Sequence, residues 1–472
     1  MLVERIDFMN TAIQEYYNTF RGKRVVFCGI GVSHQPLIEI FAQNGALVTA
    51  CDKRTSEQMG DLVEKYQSMG VTLCLGEGYM NNLQGDVVFR TPGIHSNHPS
   101  LVEVRKQGVV VTSEMEEFFK VCPATIFAIT GSDGKTTTTA AIAELLKTTE
   151  KKVFLGGNIG TPLLPLVDQM TCDDFAVVEL SSFQLMSMKK GPKVAVVTNV
   201  TPNHLDVHKD MQEYIDAKKN VFLYQTSDSK TVLNFENDVT RSFGESVVGN
   251  CVYFSHQREV DNGCYLSDNQ EIVLKNGGQQ NVVMLADEIK LPGAHNVQNY
   301  MAAFAAVSEY VTLDNMKKVA MAFGGVEHRI EFVREVKGVR YYNDSIATSP
   351  TRAIAGLNSF DQKQIIIAGG YDKHIPFDPF AEHAVKKIKL LILTGDTSDA
   401  IEACIRKQPN FNEAELTILR AEEMEQAVVL AYENAHSGDI VSLSPACASF
   451  DRYPNFSVRG RHYKELVGKL AE

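Results

Sequence analysis

Short apolar runs that end in glycine or polar residues recur along the chain, each followed by a stretch with helical spacing. The first run, KRVVFC at Lys23–Cys28, passes into Gly29-Ile30-Gly31 and then a helical stretch that begins near Gln35. A second strand pattern, Ala46–Cys51, ends at Asp52. Further strands are predicted at Val71–Leu75, Asp86–Arg90 and Val109–Val111, with a helix over 101–107. Between them Thr91–Ser100, TPGIHSNHPS, is too polar and too rich in Pro and Gly to be core. A second segment opens near Pro123. Its strand Thr125–Ile129 feeds TGSDGKT (130–136) and then TTTAAIAELLKTT, a good helix former. Strands at Val153–Leu155, Phe175–Glu179 and Val194–Asn199 follow, and the turn-rich stretch from Ser227 to about Glu288 predicts a peripheral sheet. Leu291–Val307 reads as a loop entering a helix. A third segment, from about Gly324, has strands at Gln364–Ala368, Leu390–Thr394 and Ile440–Ser442, each ending in a polar loop. The pattern predicts an α/β fold in three domains, 1–122, 123–323 and 324–472, with sites gathered at the carboxyl ends of mostly parallel strands.

Composition narrows the partners. The 46 Lys+Arg against 58 Asp+Glu give a formal charge of -12, which argues against nucleic acid and leaves room for a local basic pocket. No apolar run approaches the roughly 18 to 20 residues of a membrane span, and the N-terminus lacks the apolar core of a signal peptide. Nine cysteines without a CxxC pair read as buried thiols in a reducing compartment, so a cytoplasmic location is expected.

Candidate chemistry sits at the strand ends. The order strand, Gly29–Gly31 turn, helix, strand, Asp52 begins a Rossmann-like unit, but the third glycine of GxGxxG is missing, and Pro36 follows Gln35 where close helix–strand packing would be prepared. Nucleotide-related binding and a plain α/β turn both remain open there. In TGSDGKT, Gly131 and Gly134 supply a turn whose N–H groups face an anion, Lys135 the charge, and Thr136 a hydroxyl placed for Mg²⁺. The GxxxxGK[ST] pattern is incomplete because position 129 is Ile. Alone, the loop indicates ATP or GTP and no particular reaction. Glu179, at the end of FAVVE, suits Mg²⁺ or a helix cap, and His204, in a Pro/Asn-rich loop, suits a ligand or a structural role. Over helix 210–224, Asp210 is predicted to cap, with Glu213 in the reciprocal box position. Its apolar stripe, Met211, Tyr214, Ile215, Val221 and Phe222, includes Lys218 but not Lys219. An inward lysine must snorkel, pair or be chemically altered, and the pattern alone favours snorkelling.

Ten strings together carry a resemblance that spans essentially the whole chain: TGSDGKTTTT (130–139), GGNIGTP (156–162), VELSSFQL (178–185), TNVTPNHLD (198–206), YIDAKK (214–219), LPGAHNVQNYMAA (291–303), EHRIEFV (327–333), NDSIATSP (343–350), GGYDK (369–373) and LSPACASFDRYPNF (443–456). The chain resembles the Mur ligase family, and SSFQL and SPACASFD resemble its D-glutamate-adding member. That resemblance implies a Rossmann-like UDP-sugar domain, a central P-loop ATPase domain and a Rossmann-like amino-acid domain. It implies a monomer that uses ATP and Mg²⁺ to join D-glutamate to UDP-N-acetylmuramoyl-L-alanine through an acyl phosphate, in peptidoglycan precursor synthesis. Lys218 would be carbamylated, joining Thr136, Glu179 and His204 around the metal. Lys135, Glu179, His204 and Lys218 would carry the catalysis. The nucleotide would meet Gly131, Ser132, Asp133, Gly134, Lys135, Thr136, Thr137, Asn296, Arg329 and Asp344. Gly31, Val32 and Ser33 would meet the diphosphate and uridine, Asp52 and Arg54 the uracil end, and Thr91, Pro92, Gly93 and Ile94 would close over the same ligand. Asn158, Ser181, His204 and His328 would line the substrate junction, and Thr348, Lys373, Ser449 and Phe456 would hold D-glutamate.

Two positions depart from the family. Ile346 stands where a lysine often helps hold the D-glutamate carboxylate, so either Lys373 and a neighbour would carry that load or the acceptor differs. Tyr371 replaces an acidic residue associated with the ATP ribose, which leaves Asp372 to serve. Rival readings explain less. A nicotinamide-dependent oxidoreductase using Gly29–Gly31 and Asp52 leaves TGSDGKT unexplained. A non-catalytic nucleotide-binding regulator would release no substrate-stimulated ADP. A folylpolyglutamate-type ligase sits badly with the first-domain features.

Overall fold

Alternate residues of the first strand serve different cores. In Arg24–Cys28, Val25 and Phe27 enter a cluster with Leu37, Phe41, Phe89 and Phe118, whereas Val26 and Cys28 join Cys51, Leu101 and Val104. A strand covered on both faces needs a continuous apolar run, and such strands belong to helix-covered parallel sheets. The computed structural model describes residues 13–202, 208–373 and 375–471, and it places this strand at the centre of a five-stranded parallel sheet. Across that sheet the order is Thr72–Leu75, Leu47–Asp52, Arg24–Cys28, Val87–Arg90, Val110–Thr112. The helix expected near Gln35 is Gln35–Gln43, with Pro36 tolerated because it lies in the first turn, where its missing N–H has no helical partner to lose.

The second sheet has nine strands, ordered Gln279–Leu285, Glu271–Asn276, Gly263–Leu266, Asn250–Ser255, Lys230–Asn234, Val194–Val197, Thr125–Thr130, Phe175–Glu179, Val153–Gly157. The stretch from Ser227 therefore does not build a separate peripheral sheet. Lys230–Asn234 pairs in parallel with Val194–Val197, so the ladder continues without a break, and only its last strands turn antiparallel. Strand Thr125–Thr130 lies between Phe175–Glu179 and Val194–Val197, parallel to both, so three neighbouring carboxyl ends open on one edge.

The third sheet, ordered Glu331–Val336, Val339–Asn343, Ile440–Leu443, Gln364–Ala368, Ile388–Leu393, Thr417–Arg420, is parallel except for its first hairpin. The chain divides into two compact units. One runs to Glu288 and takes in His295–Met321, and the other combines Ile289–Ala294 with the chain from Ala322 onward. The first two sheets belong to the former and the third to the latter. Among the described residues no helix is long and apolar enough to cross a membrane. All nine cysteines are unpaired.

Candidate functional site

The middle edge of the nine-stranded sheet is a glycine loop leading into a helix. Gly131 (φ 150°) and Gly134 (φ 78°) both hold backbone conformations that side chains disfavour, and Gly134 caps the helix Lys135–Lys147. Space forbids a side chain as well. An added Cβ on Gly131 would run into Thr198 Oγ1, and one on Gly134 into Asn299 Oδ1. The neighbouring strand end clamps the turn. Asp133 N donates to Asn199 Oδ1 (2.9 Å), Thr198 Oγ1 to Asp133 O (2.5 Å), and Ser132 Oγ to Thr201 O (3.0 Å). Lys135 Nζ curls back to the carbonyls of Gly131 (3.0 Å) and Ser132 (2.8 Å), while Thr136 opens the helix. Asp133 is exposed and Thr137 half-buried beside it. Asn299 was missed by sequence reasoning. It donates to Asn296 Oδ1 (3.1 Å) and accepts from Thr138 (3.3 Å), so two asparagines three residues apart on a helix of small and apolar residues were the signal.

Beside the loop lie a buried carboxylate and a buried amine. Glu179 is 1% exposed; Oε1 accepts from Asn158 Nδ2 (2.8 Å), and the buried Oε2 has no hydrogen-bond donor among the described residues. Lys218, also 1% exposed, donates to Gly131 O (2.7 Å) and lies 4.6 Å from the Tyr214 ring centroid. It does not snorkel. Burial, and then the nearby Lys135 charge, hold its amine well below the ordinary lysine range. Lys219 instead lies half-buried over Phe243. Asp210 caps the helix as expected, accepting from Glu213 N (2.8 Å), but Glu213 reaches back to Lys209 N (2.9 Å) and not to the cap residue. Ser181 caps the short helix Ser182–Leu185 in a box with Gln184. His204 lies outside the described residues. Among the described residues, no group of three or more His, Cys, Asp or Glu side chains converges as a metal cage. A bare buried carboxylate oxygen and a helix-opening threonine beside a phosphate loop nevertheless fit Mg²⁺, which keeps several waters and takes few protein ligands.

In the first sheet the Gly29–Ser33 turn abuts Thr91: its N–H donates to Cys28 O (3.1 Å), and Ile94 N closes a turn onto Thr91 O (3.1 Å). Gly31 has open space about its Cα, Val32 is 74% exposed, Ser33, Thr91, Pro92 and Ile94 are half-buried, and Gly93 is exposed. Asp52 is occupied internally. Oδ2 accepts Ile30 N (2.7 Å) and Arg54 Nη2 (3.0 Å), Oδ1 accepts Arg54 Nε (2.9 Å), and Arg54 also reaches Ile30 O (2.7 Å). Burial opposes ionisation of Asp52, but the hydrogen bonds from Arg54 and the backbone outweigh it and hold the carboxyl at about 2. The pair is thus a clasp that shapes the glycine turn, with Arg54 the half-exposed member.

The second unit gathers another set of predicted residues at the carboxyl edge of its own sheet. His328 (φ 67°) is buried; Nδ1 lies 2.9 Å from Asn343 Nδ2, and its ring meets Phe456 edge-on at 6.0 Å. Arg329 stands between two residues of positive φ, His328 (67°) and Ile330 (44°). Asp344 accepts from Ser444 Oγ (3.0 Å) and Ile330 N (3.3 Å), and burial pushes its carboxyl up to about 7 against those bonds and the Arg329 charge. Lys373 Nζ donates to Thr348 O (3.2 Å), and Arg352 Nη1 to Ile346 O (3.4 Å). Burial first, then Arg352 and Arg459, lower the Lys373 ammonium, which marks several cations facing one another. Arg459 is buried among carbonyls of Ser345, Cys447 and Ala448, with Ser449 next in the chain and also buried. Arg352 was not singled out from sequence, since one exposed arginine in a helix carries no signal.

A glycine loop at the carboxyl edge of a mostly parallel sheet, clamped by the next strand and flanked by a buried acid and amine, defines an α/β protein of the phosphate-loop class. The Mur ligase middle domain matches residues 129–307, and the Mur ligase glutamate ligase domain matches residues 328–447. A UDP-N-acetylmuramoylalanine--D-glutamate ligase of Clostridium botulinum (strain Kyoto / Type A2) is 48% identical over 463 residues, covering 98% of this chain and 100% of the relative. One of Acetivibrio thermocellus is 48% identical over 465 residues, with the same coverage. Among solved structures, UDP-N-acetylmuramate-alanine ligase from Thermotoga maritima superposes with a TM-score of 0.56 at 20% identity, covering 94% of this chain and 99% of its own. A UDP-N-acetylmuramoyl-L-alanyl-D-glutamate--2,6-diaminopimelate ligase gives 0.54 at 18%, covering 95% and 93%. The chain belongs to the Mur ligase family, and its fold is the three-domain architecture of that family.

Proposed function

We infer that the protein joins D-glutamate to the L-alanyl carboxylate of UDP-N-acetylmuramoyl-L-alanine with hydrolysis of ATP to ADP and phosphate, a step of peptidoglycan precursor synthesis. The observation that carries this reading is the phosphate loop with Lys135, Lys218 and Glu179 around it, in a chain 48% identical end to end to D-glutamate ligases. In this reading residues 1–122 take the UDP-sugar, 123–323 the ATP and 324–472 the amino acid, and the protein acts as a cytoplasmic monomer.

A carboxylate and an amine do not condense unaided in water, so the acid is activated first. An L-alanyl carboxylate oxygen attacks the γ-phosphorus, the bond to the ADP oxygen breaks, and an acyl phosphate forms. Charge spreads over the transferring oxygens as this happens, and the loop N–H groups and the Lys135 ammonium meet it. The D-glutamate amine then adds to the carbonyl carbon; the tetrahedral intermediate expels phosphate and the nitrogen gives up a proton. Thr136, Glu179, His204 and Lys218 would hold Mg²⁺, which when bound neutralises phosphate charge. Burial favours the uncharged amine of Lys218 over its ammonium, and an uncharged amine can add to carbon dioxide with loss of a proton, so Lys218 is suited to the carbamate that would make it an anionic ligand. In the second unit Lys373 and Arg352, which donate to the carbonyls of Thr348 and Ile346, supply the cations that Ile346 lacks. ADP release with ATP, Mg²⁺ and UDP-N-acetylmuramoyl-L-alanine tests the reading, with D-glutamate compared with L-glutamate, L-lysine and meso-diaminopimelate. Release dependent on D-glutamate alone is expected; release with another of these acceptors would change the amino acid, and none at all would end the ligase reading.

A further inference from the structure

Side chains that the chemistry above does not use link the loop Thr91–Ser100 to the phosphate loop. Arg90, at the end of its strand, is buried and donates to Ile94 O (3.2 Å), Phe183 O (3.0 Å) and Ser187 Oγ (2.7 Å). Next to Ile94, His95 Nε2 stands 3.7 Å from Glu213 Oε2, an ion-pair separation too long for a hydrogen bond. The same Glu213 oxygen accepts Lys209 N (2.9 Å) and lies 3.2 Å from His208 Nδ1. His208 is buried, stacked on Phe183 with centroids 4.9 Å apart, and its Nε2 is 2.9 Å from Ser182 Oγ. Its ring also meets Tyr214 edge-on at 5.2 Å. The Tyr214 hydroxyl is 3.0 Å from Ser132 Oγ in the phosphate loop, and its ring carries Lys218 Nζ at 4.6 Å.

Ser182, His208 and Glu213 have the hydrogen-bond order of a nucleophile, base and carboxylate. Ser182 is only 3% exposed, however, so a carbonyl carbon has no path to its oxygen and the trio works as a brace. Glu213 is the branch point of that brace. One carboxylate faces the loop through His95 and the buried stack through His208, and it belongs to the helix Met211–Leu223 that also carries Tyr214 and Lys218.

We propose that Glu213 is a positioning residue that ties the Thr91–Ser100 loop to the phosphate loop, so that a ligand on the nucleotide-sugar side tightens ATP and ATP tightens that ligand by the same factor. The inference rests on the reading above, in which these two loops take the UDP-sugar and ATP. Contiguous contacts do not by themselves prove coupling, so the measurement must be of coupling itself. The dissociation constant of a non-hydrolysable ATP analogue with Mg²⁺ is measured with and without saturating UDP-N-acetylmuramoyl-L-alanine, in the wild type, Glu213→Gln, His95→Ala and the double variant. The sugar nucleotide is expected to tighten the analogue about fivefold or more in the wild type and hardly at all in each variant, with no further loss in the double. Analogue binding without the sugar nucleotide stays near the wild-type value, which a general loss of structure would not allow. His95 is a partly exposed loop residue, so its variant keeps the test decisive if Glu213→Gln is damaged. Absence of coupling in the wild type, or full coupling in His95→Ala, overturns the proposal. A wild type that binds neither ligand would instead overturn the assignment of the two loops.

Discussion

At the scale of single residues, two lysines that share the Gly131 carbonyl carry different work. In the proposed reaction Lys135 meets phosphate charge directly. Lys135→Ala should lower turnover at saturating ATP by at least about 100-fold, the loss typical of a removed transition-state donor; a near-wild-type rate would remove it from the chemistry. Lys218 is the buried amine. Lys218→Ala should be severely impaired and partly rescued by added acetate or formate, and full activity without any acid would rule out a carbamate. In the proposed function, Lys373 and Arg352 of the second unit stand in for a charge that Ile346 cannot provide. Changing either to Ala should raise the KM for D-glutamate about tenfold or more with a smaller effect on the KM for ATP, since a charged hydrogen bond to a carboxylate is worth about 1.5–3 kcal/mol. An unchanged KM in both would place the acceptor carboxylate elsewhere.

At the scale of elements, helix Glu114–Val121 shows how the first sheet is joined to the second. Glu114 Oε1 accepts the N–H groups of both Leu163 and Leu164 (2.9 Å each), deep in the apolar cluster. Glu114→Ala leaves both donors without that acceptor and should cost about 2–6 kcal/mol in denaturant unfolding, at about 1–3 for each. Burial pushes the carboxyl up to about 7 against those two bonds. Between about 4.5 and 7 the folded protein keeps a proton that the unfolded chain has released, so this group's contribution to stability falls as pH rises through the window. Glu114→Gln, which does not titrate, should therefore gain on the wild type from pH 4.5 to 7; parallel stability profiles would contradict the shifted carboxyl. Strands Phe175–Glu179 and Gln364–Ala368 were legible to the residue, because a run buried on both faces is continuous and stops at a polar turn. The continuation of the central sheet past Ser227 was not, since pairing between Lys230–Asn234 and Val194–Val197 is set by packing across a long stretch of chain and leaves no local signature. The same division runs through the site. Gly131, Gly134 and Lys135 announce themselves by spacing, whereas Asn299, His208 and Arg352 acquire a role only when folding brings them to a neighbour, and the D-glutamate residues were reached through family likeness alone.

At the scale of the molecule, stability comes without covalent staples: all nine cysteines are unpaired, and several line apolar clusters. A reductant such as dithiothreitol should leave the thermal midpoint unchanged within about 1 °C, a shift that would correspond to about 1 kcal/mol in a chain of this length; a clear drop would reveal a disulfide. The chain does not finish one unit before it starts the other. Ile289–Ala294 belongs to the second unit, and His295–Met321 returns to the first. The asparagine that abuts Gly134 lies on that returning helix, and 161 residues separate Thr138 from Asn299. A ribosome adding about 5–20 residues per second needs roughly 8–32 s to cover that distance. During synthesis, then, the phosphate loop leaves the exit tunnel long before this neighbour does, and a nascent chain cut short of Asn299 carries all of TGSDGKT and the strand end that clamps it, and lacks the side chain that packs against Gly134.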